Sequence, residues 1–221
     1  MSRDDWYRNS DWNADIDAAF FKKLSRARDK GQYLRIQAST LRTRHPATAL
    51  KLLAQYSELG EHFDMAQAFV DKASAELALG NVDDALRSYE DALQREAKYP
   101  SLLTNAYLDL PLLIARRGFK DRYPQAIDIL QRHKHRPTFP VDHFLWNSAL
   151  AIILSETGKR MEADVAALVA LQAAGMQHSG FRYHPNVGIV GAQHDDLLQR
   201  VQKIRTRLRL LWGRSRPSRQ I

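Results

Sequence analysis

The residues with the most obvious chemical potential are three histidines, His133, His135 and His143, and the glycine-bracketed run Gly188-Ile-Val-Gly191. A His-x-His pair with a third imidazole eight residues on could offer nitrogen ligands to zinc, but such a site needs three or four ligands and hydrogen-bond partners behind them. Asp142 is the one carboxylate close in sequence, and Pro137 and Pro140 make the stretch a stiff connector, so no metal is expected. Gly188–Gly191 lead into a helix whose first N–H groups could hold a phosphate. Asp195 and Asp196 in that first turn would satisfy the helix dipole and repel an anion, so a structural turn is expected instead.

Catalytic signatures are absent. No serine sits in a Gly-x-Ser-x-Gly elbow, and there is no phosphate-binding glycine–lysine loop, dinucleotide glycine pattern or His-Glu-x-x-His. The chain has no cysteine, which excludes disulfides, thiolate zinc sites, iron–sulfur clusters and cysteine nucleophiles. No enzyme activity and no cofactor are expected; the chemistry left to this chain is recognition.

The elements that must position any recognition surface are helical. Apolar residues recur at three- and four-residue steps over about 14–29, 32–44, 46–59, 64–79, 82–97, 101–117, 123–133, 141–157, 160–174 and 193–212. Asn13 is the expected cap of the first helix, and Gly31 is expected to end it. Gly60, Gly80-Asn81, Tyr99-Pro100, Gly118, Arg136–Pro140, Gly158 and Gly175 separate the rest. Strand-like alternation is confined to Val187–Gly191. Separators this short force neighbouring helices to pack antiparallel, which gives a run of helical hairpins.

These hairpins carry a repeat. Phe69, Ala73, Gly80, Ala85, Tyr89 and Ala92 hold an aromatic and a small residue on one helix, glycine at the turn, then small, aromatic and small residues on the next. A small residue lets two helices approach, and the aromatic one turn on fills the adjoining hole. The pattern resembles a tetratricopeptide repeat. Ala49, Ala85, Ala126 and Ala163 occupy equivalent hairpin positions, 36, 41 and 37 residues apart, somewhat longer than the ~34 residues of that class. Glu76 departs from the pattern where an aromatic is usual. The extra residues of the third unit fall around Gly118-Phe-Lys-Asp-Arg-Tyr, where the turn should bulge, and Pro111 should kink or shorten the helix before it.

The resemblance covers residues 31–174 and implies an all-α fold, with antiparallel hairpins stacked as a right-handed solenoid and capping helices at both ends. Residues 1–30 would form an aromatic cap and first helix, 175–192 a connecting loop, 193–212 a basic amphipathic capping helix and 213–221 a disordered basic tail. It also implies a concave groove that binds a protein or peptide segment. The family register places Leu34, Arg35, Ala38 and Arg42 on the inner face of the first unit, and Gln67, Val70, Asp71 and Ser74 in the second. Asn105 and Asp109 follow in the third, then Leu145, Ser148 and Ile152 in the fourth. Arg35 and Arg42 would make the first half of this groove basic. Reversing their charge is expected to leave the helices intact, as exposed charges do.

Both termini offer alternatives. Trp6, Tyr7 and Trp12 are either anchors for a partner or rings that fold back over the first repeat. The net charge of +8 is concentrated at the other end, where residues 194–221 hold eight basic and two acidic side chains. Leu197, Val201, Ile204, Leu208 and Leu211 form an apolar seam there for docking or for a homodimer through 197–211, with Arg200, Lys203, Arg207 and Arg209 available to anions. A nucleic-acid partner held by these arginines is therefore the alternative to a protein partner. No apolar run approaches the length of a membrane span, and Met1-Ser-Arg-Asp-Asp-Trp lacks the apolar core of a signal peptide, so a cytoplasmic chain is expected.

Overall fold

The computed structural model describes residues 5–214, with side chains through Arg207. Every regular element among them is helical: α1 (Ala14–Leu24), α2 (Lys30–Leu41), α3 (Pro46–Glu58), α4 (Met65–Ala78), α5 (Val82–Lys98), α6 (Ala106–Arg117), α7 (Tyr123–Arg132), α8 (Pro140–Glu156), α9 (Arg160–Ala174) and α10 (Asp195–Arg214). Short 3-10 turns lie at Lys120–Arg122 and Ala192–His194. The chain divides into two compact units, Met1–Ala106 and Tyr107–Ile221.

In the first unit Asn13 caps α1, its side chain accepting the Ile16 N–H at 2.9 Å. The helix then stops at Leu24 rather than near 29, because Asp29 opens a new one by accepting the Gln32 N–H at 3.1 Å. Gly31 therefore does not break a helix but lies in the first turn of α2, buried against His62, where an added Cβ would come within 2.8 Å of the ring. Its role is close approach. The hairpins α2/α3 and α4/α5 pack internally, and α4 packs on both α2 and α3. Phe20, Leu24, Leu34, Ala38, Leu41, Leu52 and Tyr56 form the core where α1, α2 and α3 meet.

Three of the long helices end in the same way. Gly80, Gly118 and Gly158 have φ of 82°, 71° and 80°, the left-handed region that a side chain disfavours. The N–H that follows each glycine bonds a carbonyl five residues back: Asn81 to Glu76 at 2.9 Å, Phe119 to Ile114 at 3.1 Å and Lys159 to Leu154 at 2.9 Å. An alanine that is 0% exposed follows five residues after Gly80 and Gly158, at Ala85 and Ala163, and eight after Gly118, at Ala126. The expected bulge in the third turn is the three-residue 3-10 segment Lys120–Arg122, which accounts for the difference. Ala49 is likewise 0% exposed. Glu76 is buried where an aromatic is usual, and it accepts the Ser88 hydroxyl of α5 at 2.7 Å while pairing with Lys72 at 3.6 Å.

The second unit has α8 and α9 packed as a hairpin, with α10 against both and α7 touching α8. Helix α6 starts at Ala106 rather than 101 and continues through Pro111, so its start is not set by the proline. Upstream, Glu96 accepts the Thr104 N–H at 2.6 Å and its hydroxyl at 2.5 Å, and that hydroxyl accepts the Ala106 N–H at 3.2 Å. These bonds hold 101–105 out of the helix. Leu197 and Val201 of α10 are buried, which places the first half of the apolar seam inside its own unit. Helix α10 continues to Arg214, past the expected boundary at 212; the rest of the proposed tail lies outside the described residues.

No strand occurs among the described residues, and Val187–Gly191 instead docks on the start of α8. The Val141 N–H donates to the Gly188 carbonyl at 2.8 Å. Gly188 has a φ of 69°, and a Cβ there would fall 2.4 Å from Phe139. Gly188→Ala is expected to lift this loop from α8, costing about 1–2 kcal/mol for the left-handed backbone, with faster hydrogen exchange at the Val141 amide as the readout. Unaltered exchange would show that the dock does not depend on the glycine.

Candidate functional site

The first unit gathers most of the expected groove residues around one buried carboxylate. Asp71 of α4 is 1% exposed. Its Oδ1 accepts from the Ser39 hydroxyl at 3.1 Å and the Gln67 amide at 3.4 Å, and its Oδ2 from Arg35 Nη1 at 3.4 Å. Arg42 Nη1 stands 3.8 Å away and also donates to the Ser39 hydroxyl at 2.7 Å. Burial pushes the Asp71 carboxyl above its ordinary value, against the opposing pull of Arg42, Ser39, Arg35 and Gln67. Arg35 is shared with Asp64, whose other oxygen accepts the Tyr56 hydroxyl at 2.6 Å. Burial and that bond raise the Tyr56 phenol far above its usual range, so it serves as a permanent donor.

This geometry changes what Arg35 is. Its side chain is 19% exposed and ties α2 to α4, so it is not the exposed charge on which the expectation for its reversal rested. Arg42 is more open, at 40%, and Gln67 and Ser74 are half-buried; the Ser74 hydroxyl bonds the Val70 carbonyl at 3.1 Å. Leu34, Ala38 and Val70, expected on the inner face, are core residues. Ser39, Asp64 and Tyr56 were not indicated by sequence. Only the four-residue step from Gln67 to Asp71 hints at the network, since the other partners of Asp71 lie 29 to 36 residues from it.

In the second unit Asn105's neighbour helix α6 carries Asp109 half-buried, while Asn105 itself, at the edge of the first unit, is exposed. Ser148 is a correction: it is 0% exposed inside α8 and out of reach of any partner, as is Ile152. The three histidines do not converge; His133 lies 5.8 Å from the Tyr107 ring and His135 and His143 are exposed. No group of three metal-ligating side chains occurs among the described residues.

The N-terminal rings fold back. Trp6 packs on Phe20 and Tyr33 with centroids at 5.4 and 4.8 Å, Tyr7 on Tyr33 at 4.8 Å, and Trp12 on Phe20 at 5.5 Å. Asn9 locks the segment to α2: its N–H and amide both donate to Gln37 Oε1 at 3.0 Å, and Gln37 returns a bond to the Asn9 carbonyl at 2.8 Å. These contacts favour the folded-back reading over exposed anchors.

The basic residues of α10 divide. Arg200 bonds Glu156 at 3.0 Å and the Arg116 carbonyl at 3.1 Å, and Arg205 approaches Asp164 of α9 at 3.5 Å, so both hold the unit together. Lys203 and Arg207 are exposed; the side chain of Arg209 lies outside those described. No helix among the described residues is long and apolar enough to cross a membrane.

Cavities open on the first unit. One of about 530 Å³ lies between Trp12, Phe21, Thr48, Lys51 and Gln55. Another, of about 260 Å³, is lined by Leu53, Ser57, Met65, Phe69 and Lys72. Neither presents an activated nucleophile: the Ser57 hydroxyl turns back onto the Leu53 carbonyl at 3.0 Å, and Lys72 pairs with Glu76. No known protein family, curated protein or solved structure matches the chain.

Proposed function

We propose that this chain is a non-catalytic adaptor whose helical hairpins, stacked in the manner of tetratricopeptide repeats, bind a protein or peptide segment across the adjoining faces of α2 and α4. The observation that carries this reading is the support beneath Arg42 and Gln67. Both side chains reach the surface, and both are held from below by the same buried Asp71. Donors fixed in this way lose little freedom when a ligand carbonyl or carboxylate arrives, which is where affinity is gained. The alanine-lined hairpins supply the rigid scaffold, and the absence of any catalytic signature in the sequence fits recognition better than turnover.

The test begins with peptides selected from a random displayed library on the full chain, followed by calorimetry on variants. Arg42→Gln is expected to weaken a selected peptide about tenfold or more, and Gln67→Ala about fivefold, because each removes a surface donor. Melting should fall less than in Arg35→Ala, since Arg35 still holds both Asp71 and Asp64. Peptides that bind both variants as tightly as the parent would place the interface elsewhere.

A further inference from the structure

We propose a second binding surface, independent of the peptide-binding reading: the loop between α9 and α10 is a stacking platform for single-stranded nucleic acid, with Tyr183 as the stacking ring and Arg182 as the phosphate contact. The loop is built rather than slack. Ser179 sits buried at its centre, donating its hydroxyl to the His184 carbonyl at 2.6 Å and accepting the Phe181 N–H at 3.0 Å. The Ser179 N–H donates to the Pro185 carbonyl and the His184 N–H to the Phe181 carbonyl, at 2.8 and 3.1 Å. Gly180 turns the chain with a φ of 90°, and its N–H donates to His178 Nδ1 at 2.9 Å. The Phe181 ring rests 5.2 Å from Phe139, and the Gly188 carbonyl is bound by Val141, so the loop is moored to the start of α8.

Held at the tip is Tyr183, 80% exposed, with the Arg182 guanidinium 5.5 Å from its ring. An ordered loop that projects a bare aromatic ring has already met the entropic cost of presenting it. The electrostatics select an anion. From Val165 to His194 there is no acidic residue, and Arg182 stands as the cation beside the ring. The connector that leads to Phe139 is similar: Lys134 is exposed, and no acid lies between Asp128 and Asp142. Asp142 is itself engaged, accepting the Thr138 and Phe139 N–H groups at 3.0 Å each. An acidic peptide would satisfy the cations but give a projecting ring nothing flat to meet. A nucleic-acid strand offers phosphate and base together, and bases stack on exposed rings whatever their sequence.

Fluorescence anisotropy of the full chain with a labelled oligo-dT of about 12 nucleotides tests this, with a labelled oligoglutamate of similar charge as control. The chain should bind oligo-dT, with affinity falling as salt rises. Tyr183→Ala should weaken it about tenfold at unchanged salt slope, Tyr183→Phe should restore binding to within about twofold, and Arg182→Ala should reduce the slope by about 0.7. The inference is overturned by an absence of oligo-dT binding at low salt, by equal binding of Tyr183→Ala, or by equally tight oligoglutamate binding. It is also overturned if removal of residues 215–221 abolishes binding while Tyr183→Ala does not change it, since the arginine tail would then be the site. Selected peptides should bind Tyr183→Ala as they bind the parent, so the fate of the α2/α4 site is read separately.

Discussion

Replacing Arg35 with alanine is expected to destabilise the first unit by about 3–5 kcal/mol, the range found when one partner of a buried ion pair is removed. Asp71 is 1% exposed and would keep only the more distant Arg42 guanidinium as a counter-charge, while Asp64 would lose Arg35 altogether. The loss should depend on pH in a definite direction. The Asp71 carboxyl lies above its ordinary value in the folded protein, so its protonated form is favoured there. Its contribution to stability is full below the unfolded-state value and is lost as pH rises through the folded one. Without Arg35 that carboxyl should rise further, and the deficit of the variant should narrow as pH is lowered through it. Urea denaturation of both proteins at neutral and mildly acidic pH measures this; a small deficit independent of pH would mean that the network contributes little.

Ala85→Leu is expected to cost about 3 kcal/mol, the upper part of the usual range for overpacking. Ala85 is 0% exposed on α5, which packs against α4, with Gly80 fixing the turn five residues before it. Three added carbons have no space unless α4 and α5 separate, and that movement would strain the Ser88–Glu76 bond between the same helices. Ala85→Gly is the control, costing about 1 kcal/mol through helix propensity alone. Equal stability of the leucine variant and the parent in thermal unfolding would show that the helices do not depend on close approach there.

Much of this architecture is legible along the chain because its signals are local. Helix periodicity, the Asn13 cap, and the glycines at 80, 118 and 158 act within a few residues, and the helices begin and end near where these place them. Gly31 misleads because glycine signals two different needs: it usually interrupts a helix, yet here its missing side chain admits His62. The turn expected at Val187–Gly191 is met, since two β-branched steps are too short to fix a strand without a partner, and the segment docks on α8. The site was harder to read. Arg35, Ser39 and Arg42 look like the polar face of any helix until folding brings Asp71 to them from 29 to 36 residues away. Ser148 shows the converse, a polar residue among the apolar side chains of α8 that is 0% exposed.

The central claim is that the α2/α4 face is where a protein segment binds. Its most direct test is backbone hydrogen exchange on the full chain with and without a library-selected peptide. Binding there should slow exchange at the ends and surface turns of α2 and α4 around Arg42 and Gln67, leaving α9 and the loop beyond it unchanged. Slowed exchange confined to the second unit, with α2 and α4 unaffected, would contradict the claim.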